Sequence, residues 1–353
     1  MSYFNKLKDV EIELPNLGSR FGGEYRLEAF KGFEFPRRSG IIWEYPGTRR
    51  VALDWFGNIV TNIGLDFYGT NLFGMDFGHV GTDNTPELAT DTQLGAFVAG
   101  VADSSQTAAA QASAPFFGSL TYKYRFLAGF GGGAVNINEV GVGRTVTTGN
   151  LSSRALTVDG GGSPATVPVL GDEFLDLFYK RRNYPAHIVE ATGAPNDLTG
   201  SIDVSGTSYN YTVRPMMLTL GGGTSGSGSA WGWGSGLNSD FNSIEGFGFN
   251  TFMRGIALDE TAVLGAVTGS PTGAASASTD TGRQTYIGSS NERELWYQWG
   301  EDNANFSVGI GGLVLKTRLG AYQMVFDVPI PKVVGQTFTY FHNFSWDRKV
   351  TWV

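Results

Sequence analysis

From Trp43 to the C-terminal end, apolar residues recur at every second position in short runs that stop at glycine, proline, asparagine or serine. Alternation of this kind places successive side chains on opposite faces of a strand, so it predicts many short, half-buried strands joined by tight turns. In "FFGSLTYKYRFLAGF", Leu120, Tyr122, Tyr124 and Phe126 alternate with Thr121, Lys123 and Arg125. "NINEVGVGRTV" and "LSSRALTVDG" read as consecutive strands with "TTGN" as the hairpin turn. "SIDVSGTSYNYTVRP" reads as a hairpin with Ile202 and Val204 before the turn "SGTS" and Tyr209, Tyr211 and Val213 after it. "GDEFLDLFYKRRNYP" carries two signals. Asp172 suits a helix cap, but Leu175, Leu177 and Tyr179 alternate with Asp176, Phe178 and Lys180, and neighbouring strands favour the second reading. The final run alternates Phe338, Tyr340, His342, Phe344 and Trp346 with polar and aromatic residues, which predicts a strand inside a sheet.

Two regions depart from this rhythm. In residues 1–45, "VEIELP" sets Val10, Ile12 and Leu14 against two glutamates, and the following "GSRFGGEYRLEAFKGFEFPRRSG" is rich in turn residues. This segment reads either as an arm whose strand joins a neighbouring chain's sheet edge or as the first strand of the domain. Val10, Ile12 and Leu14 are therefore interface candidates. Residues 221–250 are a glycine-serine tract that also carries Trp231, Trp233, Phe247 and Phe249, aromatics a plain linker would lack. These four are further interface candidates. The expected organisation is an arm over 1–45, a β-sandwich core over 46–220, a loop excursion over 221–285, and C-terminal strands over 286–353 that complete the core. The fold class is all-β, sandwich or jelly-roll-like, with at most one or two short helices. One of these is expected after Thr90 or Asp91, through Leu94, Phe97 and Val98.

Composition sharpens the picture. Of 353 residues, 51 are glycine, about twice the usual ~7% share. Aromatics reach 13%, which suits pleated, half-buried surfaces. Charged residues make up only 16%, with a net charge of −8 and no long basic run, which argues against tracking a nucleic-acid backbone. There is no cysteine, so disulfides, thiolate metal sites and cysteine nucleophiles are excluded. No apolar stretch is long enough for a signal peptide or a membrane span, so synthesis in the cytoplasm without classical export is expected.

Candidate chemistry is sparse. His79, His187 and His342 show none of the spacings that build a zinc site, and each is expected to be structural. Gly226-Ser227-Gly228 lies in a glycine-serine run, where a resemblance to a nucleophile elbow is compositional. Glu292 and Glu294 share one face of a strand beside Trp296 and Trp299, so acids and flat rings together make a weak glycan-contact candidate. "GTDNTPE" and "GEDNAN" offer oxygens for calcium, but Asx turns account for both. No catalytic residue, metal or cofactor is assigned.

The wording of several segments resembles a family of tailed-bacteriophage structural proteins, tail fibre or minor tail proteins. These segments are "WFGNIVTNIGLD", "HVGTDNTPELATDTQL", "FFGSLTYKYRF", "VLGDEFLDLFYKRRNYP", "SIDVSGTSYNYTVRP" and "IPKVVGQTFTYFHNFSWDR". The resemblance covers the chain from about residue 50 onward and includes no catalytic signature. It implies a virion protein of the phage tail made in the host cytoplasm. Such a protein would assemble as a trimer or other cyclic homo-oligomer on other tail proteins and contact a host-surface glycan or protein. A polysaccharide depolymerase and a head-decoration or collar fibre are the alternatives.

Overall fold

The computed structural model describes residues 10–34, 42–70, 74–111, 113–187, 194–216, 254–267, 271–273, 276–278, 280–283, 285–316 and 321–349. It is all-β, as the alternation predicts. The strands up to the midpoint are β1 (Val10–Glu34), β2 (Ile42–Glu44), β3 (Arg50–Gly57), β4 (Ile59–Val60), β5 (Phe77–Gly81), β6 (Phe97–Gln111), β7 (Phe117–Phe126), β8 (Val135–Ile137), β9 (Glu139–Gly143), β10 (Leu151–Leu156), β11 (Val167–Val169) and β12 (Glu173–Pro185). There follow β13 (Leu198–Val204), β14 (Thr207–Pro215), β15 (Arg254–Leu258), β16 (Ser276–Ser278), β17 (Asp280–Arg283), β18 (Glu292–Trp299), β19 (Ile310–Lys316), β20 (Ala321–Ile330) and β21 (Phe338–Arg348). Three of these, β15, β16 and β17, fall inside the span expected as a loop excursion.

β1 is the spine. Its 25 residues have a contour of about 80 Å at ~3.3 Å per residue. Along one edge it pairs in parallel with β21, Val10 opposite Phe338 through Phe21 opposite Arg348, with a bulge between Leu14 and Leu17. Farther along, Glu24 to Ala29 pair with β3, and Gly32 to Glu34 pair with β2. The opposite edge carries β12 from Ser19 to Lys31. Over Val10–Phe21 one edge of the spine is thus taken by the chain's own β21. The turn-rich reading of "GSRFGGEYRLEAFKG" is corrected: these glycines lie in extended strand. A Cβ on Gly23 would stand 2.5 Å from Tyr179 Cε2, and one on Gly18 would stand 2.6 Å from the Ser345 carbonyl oxygen. The glycines mark close approach, not chain reversal.

Around the spine the main sheet runs β17-β18-β21-β1-β12-β7-β6-β5-β9-β10-β4, and a second sheet runs β13-β14-β20-β19-β15-β16. Two cores result. The second half of β1, with β3, β12 and β7, encloses Tyr25, Leu27, Tyr122, Tyr124, Leu175 and Leu177 against Val80, Val140 and Val142 of β5 and β9 as the main sheet curls back. The first half of β1, with β18 and β21, faces the second sheet across Leu17, Tyr297, Trp299, Phe338, Leu313 and Met324. Each large side chain so buried contributes roughly 1.5–3 kcal/mol. The two-residue turn Ser205-Gly206, both at positive φ (53° and 84°), closes the β13–β14 hairpin with Val204 opposite Thr207, so Thr207 and Ser208 of the expected turn "SGTS" belong to β14 instead.

Among the described residues there is one α-helix, α1 (Asn62–Gly69), and one 3-10 turn, Ala128–Gly131. The Thr61 side chain caps α1 by accepting from the Gly64 N–H at 2.9 Å. Tyr68 stacks on Phe21 of the spine at 3.9 Å, and Trp346 Nε1 of the last strand donates to the Leu65 carbonyl at 2.9 Å. The short helix therefore packs into the core that the first half of β1 shares with β18, β21 and the second sheet. No helix among the described residues is long and apolar enough to cross a membrane.

Candidate functional site

The expected helix at 91–98 does not form. The Asp91 carboxylate accepts from the Leu88 N–H at 2.8 Å and from Arg154 Nη1 at 2.7 Å, so it faces backwards along the chain. The Gly95 and Ala96 amides, which a helix would have used, donate to the buried Glu139 carboxylate at 3.0 and 2.7 Å. Glu139 in turn receives Arg154 Nη2 at 2.8 Å. Loop 82–96 is therefore held by side chains, and β6 starts directly at Phe97. His79 is buried, with Nε2 2.7 Å from the Thr145 carbonyl and its ring edge-on to Phe97. That contact places the proton on Nε2, and burial lowers the imidazole pKa. In the loop "GTDNTPE" the Asp83 side chain accepts from the Asn84 N–H, and in "GEDNAN" the Asn303 side chain accepts from the Ala304 N–H. Among the described residues, no group of three His, Cys, Asp or Glu is placed to hold a metal ion.

The most concentrated charge lies on the outer face of the β3-β1-β12-β7 sheet. Asp176, with its side chain wholly buried, receives Arg125 Nε at 2.7 Å, Arg49 Nη1 at 3.0 Å and Lys123 Nζ at 3.0 Å. Burial pushes its carboxyl up, but the Arg125 and Lys123 charges outweigh burial and hold it below the usual range. Arg49 continues to Glu28 at 2.7 Å and Glu44 at 2.6 Å. The cations also rest on rings. Arg49 and Arg125 lie 4.3 and 4.9 Å from the Phe30 centroid, Lys180 3.8 Å from Trp55, and Arg182 4.5 Å from Phe117. This is a closed layer in which each acid is held by bases and aromatic faces are roofed by cations.

At the far end of the spine lies a patch that alternation did not single out. Phe33 and Trp43 face each other across β1 and β2, and the Tyr45 ring lies 6.0 Å from that of Phe33. They are 39%, 55% and 45% exposed, high for large rings. The signal was present as "IIWEY" after a polar turn, but isolated aromatics read equally well as core.

The sequence candidates are dispersed. Val10 and Ile12 are buried in the core, and Leu14 is paired through its backbone opposite His342. Trp231, Trp233, Phe247 and Phe249 lie outside the described residues. Exposed Glu292 and half-buried Glu294 and Trp296 share the outer face of β18. Trp299 faces the opposite way, wholly buried, with Nε1 donating to the Ala277 carbonyl at 3.0 Å, so it cannot contact a ligand beside the glutamates. His342 is buried beside Tyr297 and Tyr340, with ring centroids 5.7 and 5.2 Å away.

No family model, curated protein or solved structure matches the chain.

Proposed function

We propose that the chain is a non-catalytic structural subunit of a phage tail, a fibre, tip or collar component that assembles with copies of itself on other tail proteins. The observation that carries this reading is the exposed ring patch Phe33–Trp43–Tyr45, mounted at the end of a spine strand shared by both cores. Three large rings on a rigid strand pair offer the apolar, low-entropy anchor that interfaces are built around. The Asp176 layer and the Glu139–Arg154 loop support it from the other side. Their ionisable groups are committed to each other, as a durable scaffold requires and a reaction centre does not. The partner argued for is a second copy of the same chain, arranged as a closed ring.

Sedimentation velocity on the intact chain tests this. A cyclic oligomer that Trp43→Ser dissociates supports the reading. A monomer at every concentration, absent from purified particles under immunogold labelling, defeats it.

A second reading rests on Glu292, Glu294 and Trp296, which share one outward face of β18. Residues two apart on a strand stand about 7 Å apart, within the range of paired glycosidase carboxylates. Host polysaccharide cleaved by the wild type and left intact by Glu292→Gln/Glu294→Gln would favour a glycan-degrading appendage.

A further inference from the structure

At the centre of the core between the two sheets, three polar side chains are buried without hydrogen-bond partners among the described residues. Tyr297 of β18 and Tyr340 of β21 are a direct cross-strand pair, and His342 follows two residues along on the same face. The centroids of Tyr297 and Tyr340 are 5.9 Å apart, and the His342 ring lies within 9° of parallel to that of Tyr297. That near-parallel stack keeps the in-plane groups of the two rings from bonding each other. Among the described residues, neither hydroxyl and neither imidazole nitrogen has a hydrogen-bond partner.

Several other buried rings of the same fold are bonded. Tyr25 Oη donates to Ser153 Oγ at 3.0 Å, Tyr124 Oη to the Met75 carbonyl at 2.6 Å, Tyr322 Oη to the Gly18 carbonyl, and His79 is paired with Thr145. A buried polar group left without a partner is destabilising, and three together weigh heavily against a marginally stable fold. Something therefore fills the cluster. Burial lowers the His342 pKa to about 3 and pushes both phenols up, so all three groups are neutral. A charged occupant would sit uncompensated in the core. A small neutral molecule that both donates and accepts is required, and water meets that need with two to four partners.

We infer that Tyr297, Tyr340 and His342 line an internal hydration site that holds ordered water between the two sheets. Residues 297, 340 and 342 then form a wet plane inside an otherwise apolar core.

A crystal structure of the intact chain at about 1.5 Å, with water–hydroxyl cross-peaks by NMR, tests the site directly. Water density within hydrogen-bonding reach of the hydroxyls and the imidazole is expected. Density for an ion or an organic molecule overturns the assignment, as does a dry cluster. His342→Leu gives an independent readout. With water present, its loss strands both hydroxyls and Tm falls by roughly 2–5 °C. In a dry cluster the same change removes an unpaired polar group, and Tm rises. Should the variant not fold, the wild-type density decides alone.

Discussion

The Tyr322 hydroxyl is bonded to both backbone groups of Gly18, accepting from its N–H at 3.2 Å and donating to its carbonyl. The contact falls at the end of the β1–β12 ladder, where Ser19 lies opposite Pro185 and the Gly18 carbonyl also accepts from the Ala186 N–H at 3.0 Å. One side chain of the second sheet thus joins that sheet to the spine. Tyr322→Phe leaves the buried Gly18 N–H unsatisfied while keeping the ring. A loss of about 1–2 kcal/mol in urea unfolding is expected, with the m-value unchanged. A variant as stable as the wild type would show that the spine edge needs no such closure.

Gly78 of β5 makes a different contact, lying against the ring of Tyr124, where any Cβ would overlap it. Gly282 lies under Trp296 and Gly200 under Tyr211 in the same manner. Aromatic rings over strand glycines explain why glycine and aromatics are abundant together. Gly78→Ala forces Tyr124 off its bond to the Met75 carbonyl and should cost about 1–3 kcal/mol or more by overpacking. Gly149, a turn glycine at φ 101° with open space around it, serves as a comparison because its substitution strains only the backbone.

That double use of glycine marks the limit of what the alternation pattern revealed. β7, β12, β14, β18 and β21 were legible because one face is polar and the other buried, so every second residue announces the strand. β1 was legible only at "VEIELP". Beyond it, Gly18, Gly22, Gly23 and Gly32 carry turn chemistry in a one-dimensional reading, and only the facing Ser345, Tyr179 and Trp43 show why the strand continues. α1 was missed for a related reason. Thr61 is a good cap, but Gly64 is a poor helix former; it is there because the Ser152 carbonyl presses on it. The reverse error at 91–98 came from trusting a capping residue whose carboxylate is taken by Arg154, a partner 63 positions away. Of the candidate surface, charge alternation along β12 was visible, but its closure onto Arg49 and Phe30 depends on three strands meeting.

Asp176 is the keystone of the outer charged layer. Replacing it with Asn keeps the shape and leaves Arg49, Arg125 and Lys123 facing one another without their shared counter-charge. Those three are 24–30% exposed, so water softens the repulsion. A cost of about 2–4 kcal/mol is expected, below that of a wholly dry pair. Glu44→Gln, at the rim of the same network, should cost no more than ~1 kcal/mol. Equal Tm values for the two variants would mean the layer is held by its rings and not by its charges.

Acid should destabilise the fold in a way that separates three groups. His342 titrates near 6.5 when unfolded and at about 3 when buried, so between these values the unfolded chain binds the extra proton. Stability is therefore lost as pH falls from 6.5 toward 3, with a slope approaching ~1.4 kcal/mol per pH unit. Asp176, held below its ordinary value by its bases, acts in the same direction at lower pH, below about 4. Asp76 opposes both. Burial pushes its carboxyl up to about 6, with Arg144 pulling down and Asp103 adding to the rise, so the folded form binds the proton first and stability grows as pH falls from 6 toward 4. Asp76→Asn should therefore stabilise the protein at pH 7.5 and steepen the loss on acidification. His342→Leu should flatten it between pH 6 and 4. Urea midpoints across that range, measured for the wild type and both variants, check the signs, and a His342→Leu curve parallel to wild type would place the acid sensitivity elsewhere.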